Sequence, residues 1–210
     1  MKKITLLLLG FLISSGLAFA DVGKTLDLLE KSPVAEKVES TSGGEGLHAI
    51  GFFTGFLDED MKSEHDNRGI SMLVSLGYDG RPILSKFGLH TKGRFDFILE
   101  PFVNLSTRPS GNVELGSNFL FEYAFPLHPR LQPYLKGGVG LIYMTQDTEE
   151  QSTQWNFLPQ GAAGLHFYLK ENLALSCEYR HRHLSNASIK APNRGIDAKM
   201  YLAGLTFFFQ

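Results

Sequence analysis

The sequence predicts an all-β fold: an eight-stranded antiparallel transmembrane β-barrel of the bacterial outer membrane. Three observations carry this. From residue 47 onward, apolar and polar residues alternate with period two in eight segments separated by turn chemistry. Several segments run ten or more residues, beyond the five or six usual in globular sheets and matching the roughly 9–11 that a tilted strand needs to cross a bilayer. The polar face mixes acids, bases and glycines, as a narrow lumen requires, while the other face is aliphatic and aromatic.

The first twenty residues read as an export signal. Lys2 and Lys3 precede an apolar run from Ile4 to Ile13, and Ala18-Phe19-Ala20 supplies a small-residue cleavage pattern before Asp21. The run is shorter than the roughly 20 apolar residues of a membrane-spanning helix. Residues 21–46 form a leader. Leu26, Leu28, Leu29, Val34 and Val38 among Lys and Glu suggest a short periplasmic helix, and Ser40 to Gly44 a linker. The barrel then occupies 47–210.

The expected strands are 47–57, 68–79, 94–105, 112–125, 132–145, 154–168, 172–187 and 195–209. Asp79-Gly80-Arg81-Pro82, Arg108-Pro109-Ser110-Gly111 and Pro192-Asn193-Arg194-Gly195 are among the turns between them. In the third strand Phe95, Phe97, Leu99, Val103 and Leu105 oppose Asp96, Glu100 and Asn104. In the fourth, Leu115, Phe119, Phe121 and Tyr123 oppose Glu114, Asn118 and Glu122. A soluble sandwich hides its apolar face; a membrane barrel turns it to lipid and pairs its charges inside. Glu100, Glu114, Glu122 and Glu178 facing Lys136, Arg180 and Arg182 favour the second arrangement. Trp155, Tyr143 and Tyr179 are candidates for the interface girdles of such a barrel.

Composition excludes other classes. A net charge of -2 offers no field to steer nucleic acid. A single cysteine, Cys177, rules out an internal disulfide framework and reads as a small lipid-facing hydrophobe.

Chemistry concentrates near the end of the chain. His183 and Ser185 share a strand face, and a hairpin centred near Ala191 sets Ser185 opposite Asp197 with His183 diagonal to it, about 7–8 Å away between backbones. Nucleophile, base and orienting acid then form one patch, the logic of a Ser-His-acid triad. By parity the patch faces lipid, so its substrate would be a lipid.

His183-x-Ser185-Asn186, followed by Lys190-x-Pro192-Asn193-x-Gly195-Ile196-Asp197, resembles the C-terminal signature of the PagL family, outer-membrane lipid A 3-O-deacylases with an eight-stranded barrel. The similarity is clearest over about 131–209 and looser over 47–209. The resemblance implies removal of a 3-O-linked hydroxyacyl chain from lipid A or lipopolysaccharide, with no cofactor. It implies His183 as general base, Ser185 as nucleophile, Asn193 as oxyanion donor and Asn186 as a supporting residue. Lys190 and Arg194 are candidates for holding substrate phosphates. Asp197 departs from the family pattern, standing one methylene short of its Glu.

The expected partner is outer-leaflet lipid, with a homodimer left open. Two rivals stand beside this reading. His181, His183 and Asp197 could hold a metal, and the barrel could be a non-catalytic adhesin or structural protein. His48, His65, His90, His128 and His166 receive no role.

Overall fold

A computed structural model describes residues 46–61 and 67–209. The expected signal peptide, the leader to residue 45 and His65 lie outside them. The elements in order are β1 (Leu47–Asp60), β2 (Asn67–Asp79), α1 (Arg81–Lys86), β3 (Arg94–Arg108), β4 (Ser110–Ala124), β5 (Leu131–Met144), β6 (Trp155–Phe157), β7 (Gln160–Lys170), β8 (Leu173–Leu184) and β9 (Ile196–Phe208).

Neighbouring strands pair antiparallel, β9 pairs β1, and β4 pairs β5, so the sheet closes on itself. β6 and β7 both pair β5 and together make one of the eight staves. The stave breaks at Leu158-Pro159 because proline has no N–H to give the ladder; the Pro159 carbonyl still accepts the His183 N–H at 2.9 Å. Closure removes the sheet edges that lipid would leave unpaired.

The outside is apolar. Phe52, Phe56, Leu115, Phe119, Phe121, Leu135, Val139 and Leu175 are all exposed. Leaving them in water would forfeit about 2 kcal/mol each, together as much as the whole stability of a typical domain, so a hydrocarbon surround is required. Strands of 11 to 15 residues supply the span.

The inside holds the charges. Lys136 Nζ lies 2.9 Å from Glu178, 3.3 Å from Glu100 and 3.5 Å from Glu122. Arg180 bridges Glu100 and Glu178 at 2.7 and 2.5 Å, and Arg182 bridges Glu59 and Glu114 at 2.5 and 2.7 Å. Each of these charges has an opposite partner, the condition under which burial is tolerable. Glycine makes room for them: a Cβ on Gly164 would lie 2.2 Å from the Tyr134 ring, whose hydroxyl donates to Glu178.

The lumen is not polar throughout. In the half remote from the chain ends, Leu57, Ile142, Leu158, Leu184, Ile196 and Met200 belong to an apolar cluster that shares the lumen with the Arg182–Glu59–Glu114 bridge. This positions the site. Leu184 and Ile196, each 1% exposed, are register partners at the remote rim and point into that cluster. Strand alternation therefore turns their neighbours His183 and Asp197 outward, and a one-residue slip would reverse both pairs.

α1 was not legible in the sequence. The Asp79-Gly80-Arg81-Pro82 segment, expected as a simple turn, starts a six-residue helix with Pro82 in its first turn, where a missing N–H costs nothing.

Candidate active site

β8 and β9 bring His183 and Asp197 directly opposite each other. His183 Nδ1 lies 2.7 Å from Asp197 Oδ1. A carboxylate only accepts, so Nδ1 carries the proton and Nε2 is left with its lone pair, the form a general base needs. Both side chains are nearly half exposed, at 43% and 48%, on the lipid-facing side of the remote rim. Tyr179 and Tyr201, 5.4 Å apart, lie on the same face along these strands.

This register corrects the expected one. Ser185 does not face Asp197; the hairpin centres one residue earlier and gives that place to His183. β8 ends at Leu184 rather than running to 187, because Ala187 and Ser188 take positive φ of 53° and 62° and carry the chain off the sheet. Ser185 stands just past the strand end, half-buried, with its N–H and carbonyl bonded to Phe157 at 3.0 and 2.8 Å. The observed register suits the shorter acid, since direct opposition lets Asp197 reach the imidazole without displacement of either strand.

The chain between the two strands is cross-braced. The Asn186 N–H donates to Asn193 Oδ1 at 3.0 Å, which orients the Asn193 amide and leaves its Nδ2 as the donor end. The Asn186 side chain is fully buried and donates to the Lys190 carbonyl at 2.8 Å and to Ser152 Oγ at 3.3 Å. Among the described residues, none of these hydrogen bonds involves the Ser185 hydroxyl. Lys190 and Arg194 are exposed.

Gly195 sets the histidine's place. Its φ is +72°, and a Cβ there would fall 2.4 Å from His183 Cε1 and 2.7 Å from Nε2. The imidazole thus lies against the one residue type that leaves room for it and accepts that backbone without strain.

Residues 69–206 match the family described as Lipid A 3-O-deacylase (PagL), a span that contains His183, Ser185, Asn186, Asn193, Gly195 and Asp197. The chain belongs to the PagL family. The fold agrees. The crystal structure of the outer membrane enzyme PagL is similar, with a TM-score of 0.53 and 21% identity over 74% of this chain and 97% of that one. So are Neisserial surface protein A (TM-score 0.57, 15% identity, 80% and 100% coverage) and the attachment invasion locus protein Ail of Yersinia pestis (0.51, 13%, 79% and 100%). No curated protein matches the chain. The PagL membership and these neighbours make this an outer-membrane barrel.

A second histidine cluster clarifies what is special about the first. His166, given no role from sequence, lies in the lumen with Nε2 3.2 Å from Glu122 and Nδ1 2.7 Å from Ser176 Oγ. These three form a hydrogen-bonded Ser-His-Glu chain, but Ser176 is wholly buried and the adjoining cavity measures about 10 Å³, room for about one water. Access, not residue type, separates the two sets.

The metal alternative is not supported by the geometry. His181 Nε2 is 3.8 Å from the Asp197 oxygen that already takes the His183 hydrogen bond, and the described residues contain no cluster of three metal-ligating side chains.

Sequence reasoning missed Ser152. Besides meeting Asn186, its Oγ donates to the Lys190 carbonyl at 2.8 Å and its N–H to the Pro192 carbonyl at 3.1 Å. The 145–154 loop thereby splints the 185–195 loop, a contact between distant segments with no local signature.

Proposed function

We propose that the protein is a serine esterase that removes the 3-O-linked hydroxyacyl chain of lipid A. The observation that carries the reading is the 2.7 Å His183–Asp197 pair, placed on the lipid-facing wall two residues from Ser185. The outer face is apolar over most of its height, and the polar residues at its remote rim, this pair with His181 and Lys199 beside it, are costly in a membrane protein unless they have work to do; a barrel wall reaches only substrates that lie in the bilayer beside it.

In the proposed reaction Ser185 Oγ attacks the ester carbonyl and its proton passes to His183 Nε2. Asp197 holds the Nδ1–H tautomer and stabilises the imidazolium. Asn193 Nδ2, with nearby backbone N–H groups, receives the oxyanion; one such donor contributes about 2.7–4 kcal/mol to the transition state. His183 returns the proton to the 3-oxygen of the leaving sugar. Water, deprotonated by His183, then releases the 3-hydroxy fatty acid from Ser185. The Ser185–His183 hydrogen bond forms when the substrate is in place, as catalytic contacts commonly tighten on binding.

The orientation supports the assignment. Leu47 and Phe208 share one rim. We take that rim as the periplasmic one, which the two-residue turn between β7 and β8 suits; His183 then stands at the level of the outer leaflet, where lipid A resides.

Covalent labelling tests the nucleophile. A lipophilic fluorophosphonate should phosphonylate Ser185 with loss of fluoride, adding the mass of the phosphonyl group to its peptide in the folded barrel, and His183→Ala should suppress the adduct. An unlabelled Ser185, or labelling indifferent to His183→Ala, contradicts the mechanism.

A further inference from the structure

We propose that α1 and the turn after it, residues 81–92, form an interfacial foot that lies on the periplasmic leaflet and binds anionic phospholipid headgroups. The inference rests on the fold and is independent of the esterase reading.

α1 contributes nothing to the lumen: none of its residues is buried. Its large apolar side chains point away from protein. Ile83 is 55% exposed, Phe87 76% and Leu89 58%, so Phe87 is barer than Phe56, the most exposed phenylalanine of the barrel wall at 71%. Between Gly80 and Gly93 there is no Asp or Glu, while Lys86, His90 and Lys92 are exposed. Apolar anchors with basic neighbours are the composition of segments that rest in the headgroup region.

The location fits that chemistry. Tyr78, Phe95, Phe97 and Phe121 form a contiguous aromatic cluster at the near rim, with ring centroids 5.6 to 6.4 Å apart. Aromatic girdles mark the membrane–water interface, and α1 leaves β2 immediately beyond this one. Its root is fixed: the Gly80 N–H donates to the Phe95 carbonyl at 2.8 Å, and Arg81 pairs with Asp79 at 2.6 Å. The foot is thus held at headgroup depth with its apolar residues unpartnered. The turn after β4 repeats the pattern, with Leu127 68% exposed beside His128 and Arg130.

The test uses the full barrel in vesicles, with Phe87→Trp in a Trp155→Phe background and acyl chains brominated near their headgroup end. The tryptophan should be quenched, and more strongly in phosphatidylglycerol-containing than in phosphatidylcholine vesicles. Each lysine near an anionic surface shifts such an equilibrium about fivefold, so adding Lys86→Gln and Lys92→Gln should remove the dependence on phosphatidylglycerol. Leu89→Trp serves as a second reporter if the first does not fold, judged by gel mobility. An unquenched tryptophan in a folded barrel overturns the proposal. So does quenching that ignores phosphatidylglycerol or the two lysines, or burial that appears only when a soluble protein is added.

Discussion

Gly195→Ala is the sharpest perturbation of the site. The added Cβ would lie 2.4 Å from His183 Cε1, and an ordinary carbon contact needs about 1 Å more. Ile196 on one side is held in β9 and the Arg194 N–H on the other by the Glu150 carbonyl at 2.9 Å, so the ring must move. It cannot withdraw by that distance and keep both its 2.7 Å bond to Asp197 and the place from which the proposed mechanism has it serve Ser185. A misplacement of about 1 Å costs roughly a hundredfold in rate, or about 2.7 kcal/mol of barrier. The positive φ of 72° adds about 1 kcal/mol of strain against folding, small enough for the barrel to survive. With the purified barrel in detergent and lipid A as substrate, kcat should fall about a hundredfold and KM should change little. Because the alanine acts through the imidazole, combining it with His183→Ala should add nothing further. A folded Gly195→Ala barrel within threefold of wild-type activity would refute the argument that this contact positions the base.

Three further substitutions probe other links. Asp197→Asn keeps the shape but removes the charge and offers an N–H that favours the wrong imidazole tautomer, so kcat should drop about 10⁴-fold with the barrel intact; retained turnover would show that the acid is dispensable. Lys136→Met leaves the network of Glu100, Glu122 and Glu178 one cation short, with Arg180 and Arg94 as the remaining arginine partners, and should cost about 3–5 kcal/mol in urea unfolding from vesicles, with a loss below 1 kcal/mol arguing against a structural lumen network. Ser152→Ala removes two hydrogen bonds to the 185–195 loop, worth about 1 kcal/mol each. Faster amide exchange across Asn186–Arg194 and slower turnover should follow, and unchanged exchange would mean that the loop is held by other contacts.

Alternation made the barrel legible, because every stave must place one face in lipid and the other in a narrow lumen. It identified the outward side of His183 and Asp197 and the inward pairing of Lys136, Arg180 and Arg182. It did not fix the β8–β9 register. The Ser185–Gly195 connection contains no two-residue turn to set it, and the positive φ of Ala187 and Ser188 occurs in residues that give no warning of it. What fixes the register is burial of Leu184 against Ile196, a tertiary effect. His166 shows the same limit for Glu122: Ser176 is its register partner in the adjoining β7–β8 hairpin, but Glu122 stands on β4, and only closure brings it to the imidazole. α1 was hidden because Gly-Arg-Pro suits a turn and the first turn of a helix equally well.

The central claim is that Ser185 on the outer wall deacylates lipid A. Mass spectrometry of lipid A from cells making the protein tests it most directly. The account predicts loss of one 3-hydroxyacyl chain with the wild type and unmodified lipid A with an equally abundant, folded Ser185→Ala barrel. Unmodified lipid A in both, or the same loss in both, contradicts it.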